Sequence, residues 1–341
     1  MTVVLNPPRL AGVRLRPRSV VVGAATVAAI LTLAVLSLGW GTYPVAPDAV
    51  IRALLGSGTS LDTTVVVGWR LPRVLAAVTL GALLAIAGAL FQTVTRNPLA
   101  SPDILGLSNG AFTGMLITLV LVSSSWPARA AGALVGCLAA SLLIWLLSYR
   151  GGIQGFRLIV VGIGVSAMLA SLNTWMLLQV ELETAMFASA WGHGSLNGVT
   201  GDALGGVLLC AMPVALAAFA LLPSLRQLEL GDDLATATGV RPHLVRSAAL
   251  LIGVVLVAAA TAIAGPIAFV ALAAPQIARR LARSPSLSLT LSGMVGALLL
   301  LASDAVAQHV LPVTLPVGIV TVSVGGAYLV VMIVSEIRRR A

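Results

Sequence analysis

The stretch LELGDDLATATGV, residues 228–240, holds three carboxylates in a chain that has only eleven acidic residues and is 59% hydrophobic. Its ends carry helix signals. Asp232 is a suitable N-cap, Gly239 suits the position after the C-cap, and Pro242 prevents continuation. The stretch therefore predicts a short polar helix between two apolar runs. Because two helical turns are marginal alone in water, we expect this helix to dock against something; the alternative is a solvated connector.

The basic residues exclude several chemistries. All twenty are arginine, so the chain has neither a Walker A lysine nor a Schiff-base lysine. No nucleophile, base or metal-ligand constellation accompanies them, because the histidines fall in three separate connecting segments and the cysteines in apolar runs, at His193, His243, His309, Cys137 and Cys210. We expect no catalytic residue, no metal site and no cofactor on this chain. ATP and Mg²⁺, if used, would belong to a partner.

The composition is that of a polytopic membrane protein. The mean hydropathy is +1.06, and only 9% of the 341 residues are charged. The net charge of +9 is spread over short arginine clusters between apolar runs, which is typical of topology determinants. We therefore expect membrane lipid as the surroundings and no nucleic-acid partner.

The apolar runs predict about ten transmembrane helices and an all-α fold. They lie near residues 20–39, 72–92, 104–122, 130–147, 158–179, 203–222, 247–264, 267–282, 287–307 and 315–335. The part 247–282 is ambiguous, because only AGP separates its halves and Pro275 is expected to break the second. One crossing, two crossings, or one crossing and a broken helix all fit it.

The arginines support ten crossings with both termini in the cytoplasm. This topology places sixteen of the twenty arginines on the cytoplasmic side, and the four exceptions are Arg52, Arg70, Arg73 and Arg129. The predicted organisation is a cytoplasmic tail at 1–19, one membrane domain at 20–335 and a second cytoplasmic tail at 336–341. The acidic stretch then lies in a cytoplasmic segment, 225–245.

Four blocks of sequence resemble the FecCD family of ABC-importer permease subunits. They are RLPRVLAAVTLGALLAIAGALFQTVTRNPLASPDILGLSNGA from Arg70, GDDLATATGV from Gly231, AGPIAFVALAAPQIAR from Ala264 and LPVGIVTVSVGGAYLVVMI from Leu315. The loop WGHGSLNG, from Trp191, looks like that of ferric-enterobactin-type permeases. The resemblance implies the BtuC-like permease fold of type II ABC importers, in the cytoplasmic (inner) membrane of a bacterium.

The resemblance also implies partners and roles. The partners are two cytoplasmic ATPase subunits, an extracytoplasmic substrate-binding protein and a second permease subunit, with a paralogue slightly favoured over an identical copy. The acidic stretch matches the coupling helix, which contacts the ATPase through Leu230, Gly231, Asp232, Asp233, Leu234, Ala235, Thr238 and Gly239.

The resemblance also implies gate and docking roles for further residues, each of which has a simpler alternative. Gate candidates are Asn97, Pro98, Leu99, Gly151 and Gly152, where the alternative is an ordinary turn. Arg70 and Arg73 are candidates for docking the binding protein, or for snorkelling at a helix end. Asp103 is expected to cap the helix that follows it. Polar residues inside the crossings either line the path or join helices, namely Gln92, Asn109, Asn173 and Gln179.

The expected function is import of a ferric siderophore. Haem and corrinoids such as vitamin B12 remain alternative substrates. An ion-coupled secondary carrier would need carboxylates near the middle of the membrane, and Asp304, near the outer end of its run and able to pair with a neighbouring helix, is poor support for one.

Overall fold

A computed structural model describes residues 9–10, 13–14, 17–103, 105–149, 155–284, 286–310 and 313–340. Two short antiparallel strands, β1 (Arg9–Leu10) and β2 (Val13–Arg14), lie in the N-terminal tail, and everything else that is regular is helical. The helices are α1 Pro17–Gly39, α2 Pro47–Leu54, α3 Ser60–Thr63, a π-helical segment Thr64–Arg70, α4 Leu71–Thr95, α5 Leu107–Leu121, α6 Trp126–Ser148, α7 Gly155–Leu177, α8 Leu182–Gly192, α9 Gly201–Ala220, α10 Leu222–Glu229, α11 Asp232–Ala237, α12 Pro242–Ala264, α13 Val270–Ala282, α14 Leu289–His309 and α15 Val317–Arg340.

Within the described part of the chain, the apolar helices include seven full-length candidate spans and two shorter ones, in agreement with about ten predicted crossings. Seven are long and apolar enough to cross a membrane by length and composition: α1, the continuous helix Ser60–Thr95, α6, α7, α9, α12 and α14. Shorter apolar helices, α5 and Val317–Met332 of α15, add two more. Helix α13, with 13 residues, rises only about 20 Å, which is less than a hydrocarbon core of about 30 Å.

Helix α4 is the centre of the bundle. It is mostly buried, as are α12 and α14, whereas α1, α6, α7 and α9 leave most of their surface exposed, as helices that face lipid do. Small residues let the central helices approach closely: a Cβ at Gly88 would overlap the backbone carbonyl of Ala271 in α13, and one at Gly81 would overlap that of Gly296 in α14. Tight small-residue contacts of this kind replace the hydrophobic effect inside a bilayer.

The ambiguous segment 247–282 forms two helices. Helix α12 ends at Ala264, and the chain turns through Gly265 (φ 70°) and Phe269 (φ 68°) before α13 begins. Pro275 lies within a continuous α13, so the expected break there was wrong. Proline removes the hydrogen bond to the carbonyl four residues earlier, which is Ala271, and that carbonyl packs against Gly88.

Other boundaries also moved. The first membrane helix begins at Pro17, three residues before the predicted start, with its proline in the first turn. The second apolar run, predicted at 72–92, belongs to a longer helix from Ser60 to Thr95, with the π-helical segment directly before Pro72. A π-helical turn accommodates the missing proline N–H without ending the helix. Helices α2 and α8, between crossings, were not foreseen.

Candidate functional site

The C-terminal end of helix α11 has the form that its sequence predicts, whereas the predicted N-cap was wrong. At its C-terminal end, Gly239 (φ 85°) donates to the carbonyl of Thr236 at 2.9 Å, and Val240 donates to that of Ala235 at 3.0 Å. These two bonds are the Schellman pattern, in which the residue after the C-cap needs a left-handed backbone. The N-cap is Gly231 rather than Asp232, which lies one residue inside the helix. Asp232 is therefore free for another role.

That role is to join α11 to the two central helices. Oδ1 of Asp232 accepts from Nη2 of Arg96 at 2.7 Å and from Nη2 of Arg246 at 2.6 Å. Arg96 follows the last residue of α4 and also donates to the carbonyl of Leu228 at 2.9 Å, while Arg246 lies in the first turns of α12. One carboxylate thus fixes the short helix to α4 and α12 together.

The charges around Asp232 keep it ionised. Partial burial raises the pKa of its carboxyl, but the hydrogen bonds and charges of Arg246 and Arg96 outweigh that effect, so its pKa lies below the ordinary value. Nearby Glu229 behaves differently. Burial raises the pKa of its carboxyl, against a backbone hydrogen bond from Leu287 and the charges of Arg226 and Arg279. Asp232, which binds both arginines, is therefore the carboxylate that anchors α11.

The opposite face of α11 is open. Ala235 is buried against the bundle, whereas Leu230 and Leu234 are 69% and 58% exposed. Asp233 is also exposed and makes no hydrogen bond or ion pair within the described part of the chain. We call Leu230, Asp233 and Leu234 the outer face of α11. Two exposed leucines and a carboxylate are therefore left uncovered on the side of α11 that faces away from its anchor.

The segment after α4 contains the first gate candidates. Arg96 adopts φ 51° and ends α4, and the side chain of Asn97 accepts the backbone N–H of Leu99 at 3.0 Å. Pro98 and Leu99 are exposed and follow Arg96, which binds Asp232, by two and three positions. The other two gate candidates, Gly151 and Gly152, lie outside the described residues.

Asp103 links two non-helical segments that lead into α5 and α13. Its Oδ2 accepts from the backbone N–H of Phe269 at 3.3 Å and from Ser101 Oγ at 3.1 Å, and its Oδ1 accepts from Ser108 Oγ at 3.3 Å. The expectation that Asp103 caps the next helix, α5, was wrong: its backbone partner is the residue before α13, and α5 begins after Gly106. A half-buried carboxylate here satisfies polar groups that non-helical backbone leaves inside a membrane protein.

The four path candidates separate into three kinds. Gln92 and Asn173 are buried and join helices: Gln92 donates to the carbonyl of Leu272 and accepts from Gln276, and Asn173 accepts from Thr113 at 2.7 Å. Asn109 donates to Ser166 at 2.8 Å. It also lines a cavity of about 510 Å³, together with Asp103, Ser108, Phe112, His193 and Ser323. Gln179 is exposed after the end of α7.

The two docking candidates, at the other end of α4, are bound within the chain. Arg70 donates to the carbonyls of Leu38 at 2.8 Å and Tyr43 at 2.6 Å. Arg73 forms a two-pronged pair with Asp304 of α14, at 2.8 and 2.7 Å, and donates to the side chain of Asn197. Asp304, the isolated carboxylate of the sequence, therefore pairs with a neighbouring helix. The bundle has an α11 end and an α8 end, with an arginine–aspartate contact at each.

The architecture defines a multi-pass membrane protein of the ABC-importer permease class, and the chain belongs to the FecCD transport family, whose profile matches residues 29–335. It is 46% identical over 315 residues to the ferric enterobactin transport system permease protein FepG of Escherichia coli, covering 92% of this chain and 96% of that one. It is 33% identical to the probable siderophore transport system permease protein YfhA of Bacillus subtilis, over 89% and 92%.

A solved structure has the same fold. It shows an inward-facing conformation of a protein described as a metal-chelate type ABC transporter, with a TM-score of 0.80 and 24% sequence identity over 92% of this chain and 99% of that one. The BtuC-like fold expected from the sequence is therefore confirmed.

Sequence reasoning missed the partners of the acidic residues it selected. Arg96 and Arg246 were read only as topology signals, although both contact Asp232. A usable signal was present for Arg96, since it directly follows α4 and precedes Asn97-Pro98, where a helix must end. No local signal pairs Arg73 with Asp304, because 231 positions separate them.

Proposed function

We propose that this chain is the permease subunit of a binding-protein-dependent importer for a ferric siderophore. In this proposal a separate chain holds ATP and Mg²⁺, which agrees with the absence of lysine from the sequence. The observation that carries the proposal is the construction of α11. It is a capped helix, fixed from behind by Asp232, whose outer face remains open for the ATPase.

The anchor explains how motion would reach the membrane. Asp232 joins the end of α4 to the first turns of α12, and these are two of the buried central helices. A displacement of α11 by the ATPase would therefore act on both helices at once. It would also act on the gate segment with Asn97, Pro98 and Leu99, which begins next to Arg96. Gly151 and Gly152 complete the proposed gate.

The assembly that follows has a second permease subunit, two ATPase subunits at the α11 end and a substrate-binding protein at the α8 end. The α11 end would face the cytoplasm of a bacterium, with both termini on that side, as the arginine distribution favours. Arg70 and Arg73 remain docking candidates. A carboxylate of the binding protein would have to compete with Asp304 for Arg73.

A ferric siderophore is the favoured substrate because the relatives at 46% and 33% identity are named for ferric enterobactin and siderophore transport. Haem and corrinoids are the alternatives. The secondary-carrier reading loses support, since Asp304 is held by Arg73 near the end of α14 rather than free at the middle of the membrane.

The test is uptake by a strain that lacks this gene and is complemented with variants. The expected result is that the wild-type gene restores uptake of radiolabelled ferric enterobactin, while Leu234→Arg leaves it at the background of the deletion strain, with equal amounts of both proteins in the membrane. The matched control is Leu234→Met, which keeps an apolar side chain of similar size at the same exposed position and should retain uptake. Restored uptake of haem or cobalamin alone would reject the siderophore, and full uptake by Leu234→Arg would reject the coupling role of α11.

A further inference from the structure

Helix α2 has a buried side and an exposed apolar side. Val50 and Ala53 pack into the bundle and are almost fully buried. Ile51 and Leu54 of α2, and Leu55 at its C-terminal cap, are 59%, 45% and 77% exposed. At 3.6 residues per turn these three residues lie within an arc of about 100°, and we call them the apolar strip of α2. Large apolar side chains left open together indicate a surface that meets lipid or another chain.

The charged residues of α2 lie on a third side. Asp48 and Arg52 form an ion pair at 2.7 Å, four positions apart, and both side chains are exposed. Arg52 lies about 100° from Ile51 and about 160° from Leu54 around the helix. A helix with one side against the protein, one apolar side and one charged side has the pattern of a helix that lies in the plane of a membrane surface.

Hydrogen bonds hold the start of α2 level with the end of α1. The 23 residues of α1 rise about 34 Å, close to a hydrocarbon core of about 30 Å, so Gly39 at its end lies near the boundary between lipid and water. The chain then turns back, because Val45, two residues before α2, donates its backbone N–H to the carbonyl of Gly39 at 3.0 Å. Arg70 donates to the carbonyls of Leu38 and Tyr43 and so holds the same connection from the side of α4. Helix α2 therefore begins at the membrane boundary.

Exposed aromatic residues mark the same level. Trp40 directly follows α1 and Trp69 directly precedes Arg70, and the two are 55% and 67% exposed. Tyr43, between α1 and α2, is exposed as well. Tryptophan and tyrosine are enriched where lipid headgroups meet the hydrocarbon. The aromatic residues and the level of α2 together favour lipid over a protein chain as the cover of the apolar strip.

We propose that α2 is an interfacial helix, with its apolar strip inserted into the lipid leaflet at the α8 end and with Asp48 and Arg52 facing water. The strip enters the leaflet by about 5–10 Å, the usual depth for such helices. Because Arg70 bonds to the connection between α1 and α2, the inserted helix also holds Arg70 at the membrane surface. The proposal needs only that the protein spans a membrane, so it stands apart from the transport role.

The experiment is electron paramagnetic resonance of a nitroxide label on single cysteines, in the full chain assembled with its natural subunits and reconstituted in lipid bilayers. Cys210→Ser removes the exposed native thiol and leaves only the buried Cys137. Labels at Ile51→Cys and Leu54→Cys are expected to collide often with oxygen, which concentrates in lipid, and rarely with a water-soluble nickel chelate. Arg52→Cys, the matched control on the charged side of the same helix, should show the reverse.

A label at Leu31→Cys, which is exposed in the middle of α1, supplies the value for the lipid interior. The ratio of oxygen to nickel collisions at Ile51→Cys and Leu54→Cys should lie between the ratios at Leu31→Cys and Arg52→Cys. A ratio equal to that of Arg52→Cys would place the strip in water and overturn the proposal. Rare collisions with both reagents would also overturn it, because they would show a protein chain over the strip. Should the labelled variants fail to assemble, a water-soluble maleimide applied to native membranes decides: it should modify Arg52→Cys faster than Leu54→Cys, and equal rates would reject the insertion.

Discussion

The two ends of α4 each carry a contact between arginine and aspartate, and the contacts are built differently. At the α8 end, two nitrogen atoms of Arg73 donate to the two carboxylate oxygens of Asp304, and the aspartate side chain is 8% exposed. At the α11 end, one oxygen of Asp232 serves Arg96 and Arg246, and the aspartate is 44% exposed. The first contact joins α4 to α14 inside the bundle. The second attaches α11, the helix that we propose meets the ATPase.

The two contacts are expected to contribute differently to the free energy of unfolding. A buried pair is costly to break, because removing one partner strands the other charge away from water. An exposed pair adds little to stability, but it sets where a helix sits. We therefore expect substitutions at the α8 end to act mainly on folding stability, and substitutions at the α11 end to act mainly on the coupling between the proposed ATPase and the membrane helices.

The largest expected effect on folding is that of Asp304→Asn. It leaves Arg73 without its carboxylate, so we expect a loss of about 3–5 kcal/mol, the usual cost of breaking a buried pair. Unfolding by denaturant in detergent measures the loss. Asp48→Asn is the control. Asp48 and Arg52 form a solvent-exposed pair, so this substitution should cost less than about 1 kcal/mol. Equal losses would remove the contrast between buried and exposed pairs.

Gly239→Ala should have the next largest effect. The backbone at Gly239 adopts φ 85°, where a side chain costs about 1–2 kcal/mol. Faster hydrogen exchange of the amides from Thr236 to Val240 would report the loosened end of α11. Gly201→Ala, with no heavy atom near the added Cβ, is the matched control. Unchanged exchange at Val240 would contradict the Schellman assignment.

Asp232→Asn should cost less, about 1 kcal/mol or below, and its effect should depend on pH. The pKa of Asp232 is lowered in the folded protein, so its stabilisation is fully present above the unfolded value of about 3.9 and is lost as the pH falls through the folded value. The difference in unfolding temperature between wild type and Asp232→Asn should therefore be fully present at pH 7 and should shrink as the pH falls below about 4. A difference that stays constant with pH would show that the charge of Asp232 is not its contribution.

Leu234→Arg should have the smallest effect on folding, within about 0.5 kcal/mol, because Leu234 is exposed on α11. The same change should abolish uptake if the outer face of α11 meets the ATPase. Ala235→Arg, which reverses the placement by putting the charge on the buried side, should unfold the segment instead. A large loss of stability in Leu234→Arg would mean that this leucine packs on its own chain.

The sequence was informative where the physics is local. Hydropathy located the apolar runs that form the long helices, and Gly239 marked the end of α11 because only a few residues accept its backbone angle. The rest depends on contacts between distant segments. Asp103 looked like a cap for α5, and its partner Phe269 lies 166 positions away. Gln92 joins helices because its side chain bonds to Leu272 and Gln276 of α13, and the sequence around Gln92 does not show that these residues are its neighbours.

The central claim is that the outer face of α11 contacts a separate ATP-binding chain, and site-specific photo-crosslinking in the native membrane tests it most directly. A photoreactive residue at position 234 should capture a chain with a P-loop nucleotide-binding sequence, identified by mass spectrometry. The same residue at position 251, also exposed but on the lipid-facing side of α12, should capture lipid and no such chain. Capture of lipid alone at both positions, in membranes active in uptake, would contradict the account.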